Sequence, residues 1–296
     1  MKTIETLSKD IYHVLDATQE HTASPELAAG YAMRIGGEFA KASLKRDKPR
    51  VKGKLWASDI GKKCLRQHYY NFNEPTEAEK LNGHTKFKFL YGNILEEAVL
   101  YFAEEAGHSV ALPQHRVETE HMGWTISGRI DGVIDNTLID VKSTSSFGYN
   151  KYKKEGLHAG NDSFGYREQL GFYDAFGNYP TKIKGVGFVW IDKQNGHILY
   201  TPTDVFTGSQ IHTKIENIIG AVDGTEVQAP KAYTDKPYGQ SGNRCLAVGC
   251  AYCPFKQRCW RDANGGKGLR TFLYSQGPVY LTEVKREPNK NVLEVT

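Results

Sequence analysis

The stretch GRIDGVIDNTLIDVKS, residues 128–143, sets two carboxylates and an ammonium group, Asp131, Asp140 and Lys142, among aliphatic residues. Asp140 and Lys142 stand two apart on a strand pattern, so both project to one face while Ile139 and Val141 project to the other. Asp131 is expected to end the preceding, apolar-flanked strand. A charged pair on a strand that otherwise reads as core breaks the local pattern, and such breaches are where function is expected. Two carboxylates delivered from adjacent strands can converge on one hard cation. Mg²⁺ or Mn²⁺ prefers such oxygen ligands and keeps waters for reaction. The chemistry that needs this set is metal-assisted phosphodiester hydrolysis, in which the ion acidifies a bound water and polarises the phosphate. Lys142 would orient or help deprotonate that water and offset charge at phosphorus. The plain alternative is an Asp–Lys pair on an exposed strand, because D-x₈-D-x-K is a short pattern. Upstream, Glu96 and Glu97 lie in an otherwise apolar helical run, and either could face a metal. Downstream, Gln169 and Tyr173 share one face of the helix YREQLGFYDAF. Gln can bond a metal-bound water or a phosphate, and Tyr can do likewise or stack on a base. The plain readings are a helix surface for the glutamates and a cap or core-edge pair for Gln169 and Tyr173.

The cysteines form a second constellation. Cys245, Cys250, Cys253 and Cys259 lie close together near the C-terminus, and Cys64 lies far upstream. In a chain without a secretion signal this clustering reads as metal or cluster ligation, not as a disulfide framework. The spacing Cys250-x₂-Cys253-x₅-Cys259 suits zinc or an iron–sulfur cluster. A zinc ribbon would offer a second C-x₂-C pair, and none exists. Cys245-x₄-Cys250-x₂-Cys253 also matches the spacing of plant-type two-iron ferredoxins, with Cys259 as fourth ligand.

In order, Glu96, Asp131, Asp140-Val141-Lys142 and the Gln169–Tyr173 helix resemble the motifs of the PD-(D/E)XK nuclease superfamily, RecB-like branch. The resemblance implies a restriction-endonuclease-like core and a metal held by Glu96, Asp131, Asp140 and the Val141 carbonyl. It implies that Lys142 serves the nucleophilic water and that Gln169 and Tyr173 position the substrate backbone. The histidine that many members carry just before the helix glutamate has no counterpart in Asn93-Ile94-Leu95, and the choice between Glu96 and Glu97 stays open. Cys64, in the basic run DIGKKCLR, together with the C-terminal triple resembles the iron–sulfur exonucleases of that branch, of the CRISPR-adaptation and AddB nuclease type. That implies a 4Fe–4S cluster on Cys64, Cys250, Cys253 and Cys259, with zinc as the alternative and Cys245 left over. A cluster so held would close a long loop and act as a staple. The resemblance spans about residues 55–262.

The function so implied is a metal-dependent DNA exonuclease acting on single-stranded or frayed ends. The rivals are a catalytically silent nucleic-acid-binding module, a sequence-tolerant endonuclease and a ferredoxin-like electron carrier. A helicase, recombinase or integrase partner would fit DNA repair, recombination, phage or CRISPR-adaptation roles. No G-x₄-G-K-[S/T] motif is present, so ATP-driven unwinding is not expected.

The elements that must position these groups follow from periodicity. Helices are expected over residues 1–45, with Ser24-Pro25-Glu26 as an internal start, over 58–73 and 87–106, then over 162–178 and 204–222. HRVETEHM, WTISGRIDGVID and NTLIDVKSTS read as three strands, and VGFVWIDKQNGHILYTP as a hairpin turning at Asn195-Gly196. This is an α/β chain with a central mixed sheet flanked by helices, an N-terminal helical region and a C-terminal iron–sulfur segment. The expected segments are 1–54, 55–262 and a tail, 263–296. The 296 residues are 39% hydrophobic and 24% charged, ordinary for a soluble chain able to bury a core. Net charge is only +4, yet Lys41–Lys63 carries nine basic residues against Asp47 and Asp59. That segment reads as a solvated linker or as a patch that tracks phosphates. Lys62, Lys63, Arg66 and Tyr69, with Tyr70, Trp124 and Phe147, are the expected nucleic-acid contacts. No apolar run reaches membrane-spanning length, and MKTIETLSKD lacks the core of a signal peptide. A cytoplasmic location is therefore expected, in a bacterial cell or in an infected host if phage-encoded.

Overall fold

The computed structural model describes residues 2–17, 23–44, 50–204, 206–275 and 277–295. In chain order its elements are α1 (Leu7–Asp16), α2 (Pro25–Leu44), β1 (Lys54–Trp56), α3 (Ala57–Ile60), α4 (Leu65–Asn73) and α5 (Gly83–Glu105). Then come β2 (Val110–Ala111), β3 (Arg116–His121), β4 (Trp124–Arg129), β5 (Gly132–Ile134), β6 (Thr137–Thr144), α6 (Ser146–Glu155) and α7 (Tyr166–Phe176). β7 (Gly185–Asp192), β8 (Ile198–Pro202) and α8 (Gly208–Asp223) follow, then β9 (Lys236–Tyr238), β10 (Asn243–Cys245), α9 (Val248–Ala251) and α10 (Lys256–Cys259). The chain ends with α11 (Ala263–Gly266), β11 (Arg270–Tyr274), β12 (Gly277–Glu283) and β13 (Leu293–Val295). Among the described residues no helix is long and apolar enough to cross a membrane.

Two compact units are built from separated stretches, where the sequence pointed to consecutive ones. The first comprises Met1–Lys48, Gly53–Gly61 and Asn82–Ile215; the second Pro49–Lys52, Lys62–Leu81 and Glu216–Thr296.

The first unit has the expected α/β architecture, a mixed sheet flanked by helices. Its larger sheet has the order β2-β5-β6-β7-β8. β5 and β6 are antiparallel, β6 and β7 parallel, and β7 and β8 form the expected hairpin. One face of this sheet offers Ile139, Val141, Val189 and Ile191 to Leu7 and Ile11 of α1 and to Val99, Leu100 and Ala103 of α5. Ile139 and Val141 thus lie in the core, as the period of two required. A smaller sheet, β1-β4-β3, includes a hairpin whose turn, Met122-Gly123, has both residues at positive φ. Positive φ at both central residues is what a tight hairpin turn demands. Asp135-Asn136 does the same between β5 and β6.

The strand expected over 124–135 is broken. β4 belongs to the small sheet and β5 to the large one, and the chain crosses between them at Ile130 and Asp131. Asp131 therefore sits in the crossover, not at a strand end. The helix expected over 58–73 is broken as well: α3 ends before Gly61, and Cys64 is the N-cap residue of α4. Gly61 ends α3 because its backbone touches that of Gly165. A Cβ at Gly61 would lie 2.1 Å from the Gly165 carbonyl oxygen, and Gly165 itself has φ +75° at the start of α7. The start at Ser24-Pro25 is found, with the Ser24 hydroxyl accepting from Leu27 N at 3.2 Å. Of the basic segment, residues 45–49 lie outside the described ones.

The second unit contains α4, the cysteine segment and a sheet of order β13-β11-β12-β10-β9. Residues 263–296, a tail whose role the sequence leaves open, supply three of those strands and bury Phe272 and Leu281.

Candidate active site and cysteine cavity

β6 carries Asp140 and Lys142 as neighbours on one face, with Lys142 Nζ 2.6 Å from Asp140 Oδ2. Asp140 is 2% exposed, and its Oδ1 is buried without a hydrogen-bond partner. Burial raises its pKa, and Lys142 opposes the rise. Burial would lower the Lys142 ammonium, but Asp140 and Asp131 outweigh it and hold the group well above the ordinary lysine range. The ammonium also lies 5.2 Å from the centre of the Tyr166 ring. Asp131 reaches the site from its crossover because its Oδ2 accepts from the Val141 backbone N–H at 2.6 Å. Burial, with the charge of Asp140, pushes its carboxyl up to about 7.

The two glutamates separate by partner. Glu97 is buried against Arg34 of α2, whose Nε lies 2.8 Å from Oε2. Glu96 faces the other way: burial pushes it up to about 9, with Asp131, Glu97 and Asp140 adding to the rise and Lys142 opposing it. Its Oε1 accepts from Gln114 Nε2 at 2.7 Å.

Gln114 was missed from the sequence. It lies in the second crossover between the two sheets, Leu112 to His115, and its own φ is +58°. Leu112 is also at positive φ, +56°, and Ile130 N donates to His115 O at 3.0 Å, tying the two crossovers together. Two non-glycine residues in the left-handed region within three positions mark a strained segment, and such strain gathers at functional sites. Only weak signals stood in the sequence, a proline and a glutamine between two short strand patterns.

Gln169 Nε2 donates to Tyr173 Oη at 3.3 Å, so α7 brings the pair together as its spacing required. Tyr173 is 3% exposed, however, so its ring is closed to a stacking base. Its hydroxyl packs against β4, where a Cβ on Gly128 would lie 2.6 Å away. α7 is held at its start by Asp162, whose carboxylate accepts from the backbone N–H groups of Phe164, Gly165, Tyr166 and Arg167. That buried acid is a cap, not a candidate ligand.

In the second unit Cys64, Cys250, Cys253 and Cys259 line one cavity with Tyr70, Lys231, Lys256 and Trp260. None is in a disulfide. Burial pushes Cys250 up to about 11 and Cys253 to about 12, and raises Cys259 too. Cys245 is elsewhere, packed with Phe272 and Leu281. The cavity wall is tied by charge: Arg258 binds Glu74 and Glu226, and Lys256 pairs with Glu79. Arg66 belongs to the same framework, its Nε donating to Ala229 O at 2.8 Å. Tyr69 packs edge-on against Tyr70. Tyr70 and Trp124, expected to contact nucleic acid, are buried and closed to stacking, whereas Phe147 is 83% exposed. Lys62 and Lys63 precede α4.

Among the described residues no three His, Cys, Asp or Glu side chains stand as a group placed to hold a metal ion. The donor chemistry nevertheless fits. A buried carboxylate oxygen without a partner suits a hard divalent ion. Four unbridged thiols around one cavity suit iron or zinc.

No protein-family model and no curated protein matches the chain. Among solved structures it is similar to the crystal structure of SSO0001, at 15% identity over 76% of this chain and 93% of that one, with a TM-score of 0.46. It is also similar to an alkaline exonuclease, LHK-Exo, from Laribacter hongkongensis, at 17% identity over 58% of this chain and 88% of that one, TM-score 0.42. The complex of LHK-Exo with dAMP gives 17% identity, 57% and 86% coverage and a TM-score of 0.37. Likenesses this distant leave the reading of the site to its own geometry.

Proposed function

We propose that the chain is a metal-dependent deoxyribonuclease of exonuclease type, acting on single-stranded or frayed DNA ends. The observation that carries the reading is the meeting of Glu96, Asp131 and Asp140 around Lys142, with one buried Asp140 oxygen left without a partner. Mg²⁺ or Mn²⁺ held by these carboxylates and the Val141 carbonyl would acidify a bound water and neutralise phosphate charge.

The chain's own groups then have separate tasks. Lys142 stays protonated between Asp140 and Asp131, so Nζ acts as a donor that orients water and meets charge on the phosphate, not as the base. Val141 N–H and Gln114 Nε2 fix the Asp131 and Glu96 carboxylates in place. Gln169 is positioned by Tyr173 to hold a phosphate oxygen. In the second unit the reading is a structural 4Fe–4S cluster on Cys64, Cys250, Cys253 and Cys259, with zinc as the alternative.

The test is digestion of 5′- and 3′-labelled single-stranded oligonucleotides in Mg²⁺, Mn²⁺ or EDTA. Metal-dependent shortening from one end is expected, with Asp140→Asn slower by on the order of 10³-fold. Binding without cleavage in the wild type would overturn the reading in favour of a silent nucleic-acid-binding module.

A further inference from the structure

α5 is twenty-three residues long, but its buried residues, Glu97, Val99, Leu100 and Ala103, all lie in its second half. The first half is left outside the core. Phe87 is 69% exposed, Phe89 54% and Tyr91 39%. From Asn82 to Leu95 the sequence has no Asp or Glu, while His84, Lys86 and Lys88 alternate with the rings. α2 runs antiparallel alongside, through Tyr31 to Glu104, Arg34 to Glu97 and Glu38 to Asn93. Its own outer half also exposes Phe39 and Leu44, at 49% and 78%.

The helical repeat connects this arm with the carboxylates. Phe89 and Glu96 are seven apart, hence on one face and about 10 Å along the axis. Between them on that face is Gly92, where a Cβ would lie 3.5 Å from Ser143 Oγ on β6. A trough without a side chain thus leads from an exposed ring to Glu96, which is half-buried.

We propose that the outer half of α5 is a stacking platform for single-stranded nucleic acid, which Phe89 and Lys88 guide over Gly92 toward Glu96. The proposal rests on the nuclease reading and names how the strand reaches that site. A polyanion is the occupant that matches Lys86 and Lys88 on a helical stretch that has no carboxylate of its own. Bases are the partners that match isolated rings. Phe87 and Tyr91 are four apart on one face, whereas Phe89 lies about 200° from Phe87 and stands apart from that pair, on the face that leads to Glu96.

The experiment is fluorescence anisotropy of fluorescein-labelled oligo(dT) with the full chain in EDTA, where cleavage is silent. Phe89→Ala should weaken binding about tenfold and Phe89→Trp should restore it. Lys88→Ala should weaken binding less and flatten the salt dependence by about one unit of slope. Unchanged affinity in Phe89→Ala would overturn the proposal. So would a loss that Phe89→Trp does not restore, or Phe89-dependent sedimentation with phosphatidylglycerol vesicles in place of oligonucleotide binding. The two readings fail separately. Phe89-dependent binding without metal-dependent cleavage keeps the platform and removes the nuclease; cleavage with Phe89-independent binding does the reverse.

Discussion

In the first unit an ammonium group of the chain itself lies 2.6 Å from the buried Asp140 carboxylate. In the second unit four thiols share a cavity in which burial holds Cys250 and Cys253 protonated up to about 11 and 12, with Trp260 and then Lys231 pulling Cys250 only partly back. Their settings differ too. Asp140 and Lys142 sit on β6 just past the end of its pairing with β5, held by β7 on the other side. Cys250 and Cys259 sit on four-residue helices braced by Arg258 and Lys256. The difference teaches how each site would depend on its metal. A carboxylate site partly neutralised from within can fold empty and bind its ion reversibly. Thiols must lose protons to bind, so metal uptake there becomes part of folding.

The largest effect should follow from breaking the second site. Cys250→Ala is expected to lose bound iron, or zinc, and to cost on the order of several kcal/mol in the melting of the second unit. Cys64→Ala should do the same. Cys245→Ala, which removes a sulfur from the apolar cluster around Phe272 and Leu281, should keep the metal and cost about 1 kcal/mol. Elemental analysis with thermal melts decides it. Metal lost in Cys245→Ala and kept in Cys64→Ala would reassign the fourth ligand to the local set.

A middle-sized effect should appear in the pH dependence of the metal-free chain. Glu96 is raised from 4.5 to about 9 and Asp131 from 3.8 to about 7. A carboxyl raised on folding keeps its proton where the unfolded chain has lost it. Its stabilising share is complete below about pH 4 and drains as pH rises through about 7 for Asp131 and about 9 for Glu96. In EDTA the first unit should therefore melt at falling temperature from pH 5 to 9. Mg²⁺ should restore more at pH 9 than at pH 6, and Glu96→Gln should flatten the upper part of the curve. The buried thiols, raised from 9 to about 11 for Cys250, lose their share only above pH 9, so the second unit should stay level across the same range. A flat profile for the first unit would erase the contrast.

These contrasts show which parts of the sites were legible in sequence. Asp140 and Lys142 were readable because a strand's period of two is local, and Gln169 with Tyr173 because a helix repeats every four residues. Glu96 and Glu97 could not be separated, since neighbours on a helix differ by only a rotation. What separates them is Arg34, a partner remote in sequence. Asp131 was placed at a strand end because nothing local marks the change of sheet, which depends on Ile130 pairing with His115. Tyr70 and Trp124 were chosen by type, and tertiary packing buried them. Cys64 was placed on a helix, and the contact of Gly61 with Gly165 ends that helix short of it.

The smallest effect gives the sharpest test of whether the first site is held by design of its backbone. Gln114 combines a left-handed φ of +58° with a hydrogen bond to Glu96. A non-glycine residue there costs about 1–2 kcal/mol, so Gln114→Gly should relieve strain while deleting the amide. A residue present only to make the turn would leave activity unchanged and the melting temperature level or higher. A residue that positions Glu96 would give cleavage down roughly tenfold with a melting temperature near the wild type's, because the lost donor, worth about 1.5–3 kcal/mol, offsets the strain relieved. Gln114→Asn tolerates the same backbone but falls one methylene short, and should lie with glycine in activity and below it in stability. Stability and activity should therefore move apart at this position, whereas at Cys250 folding and metal content should fall together.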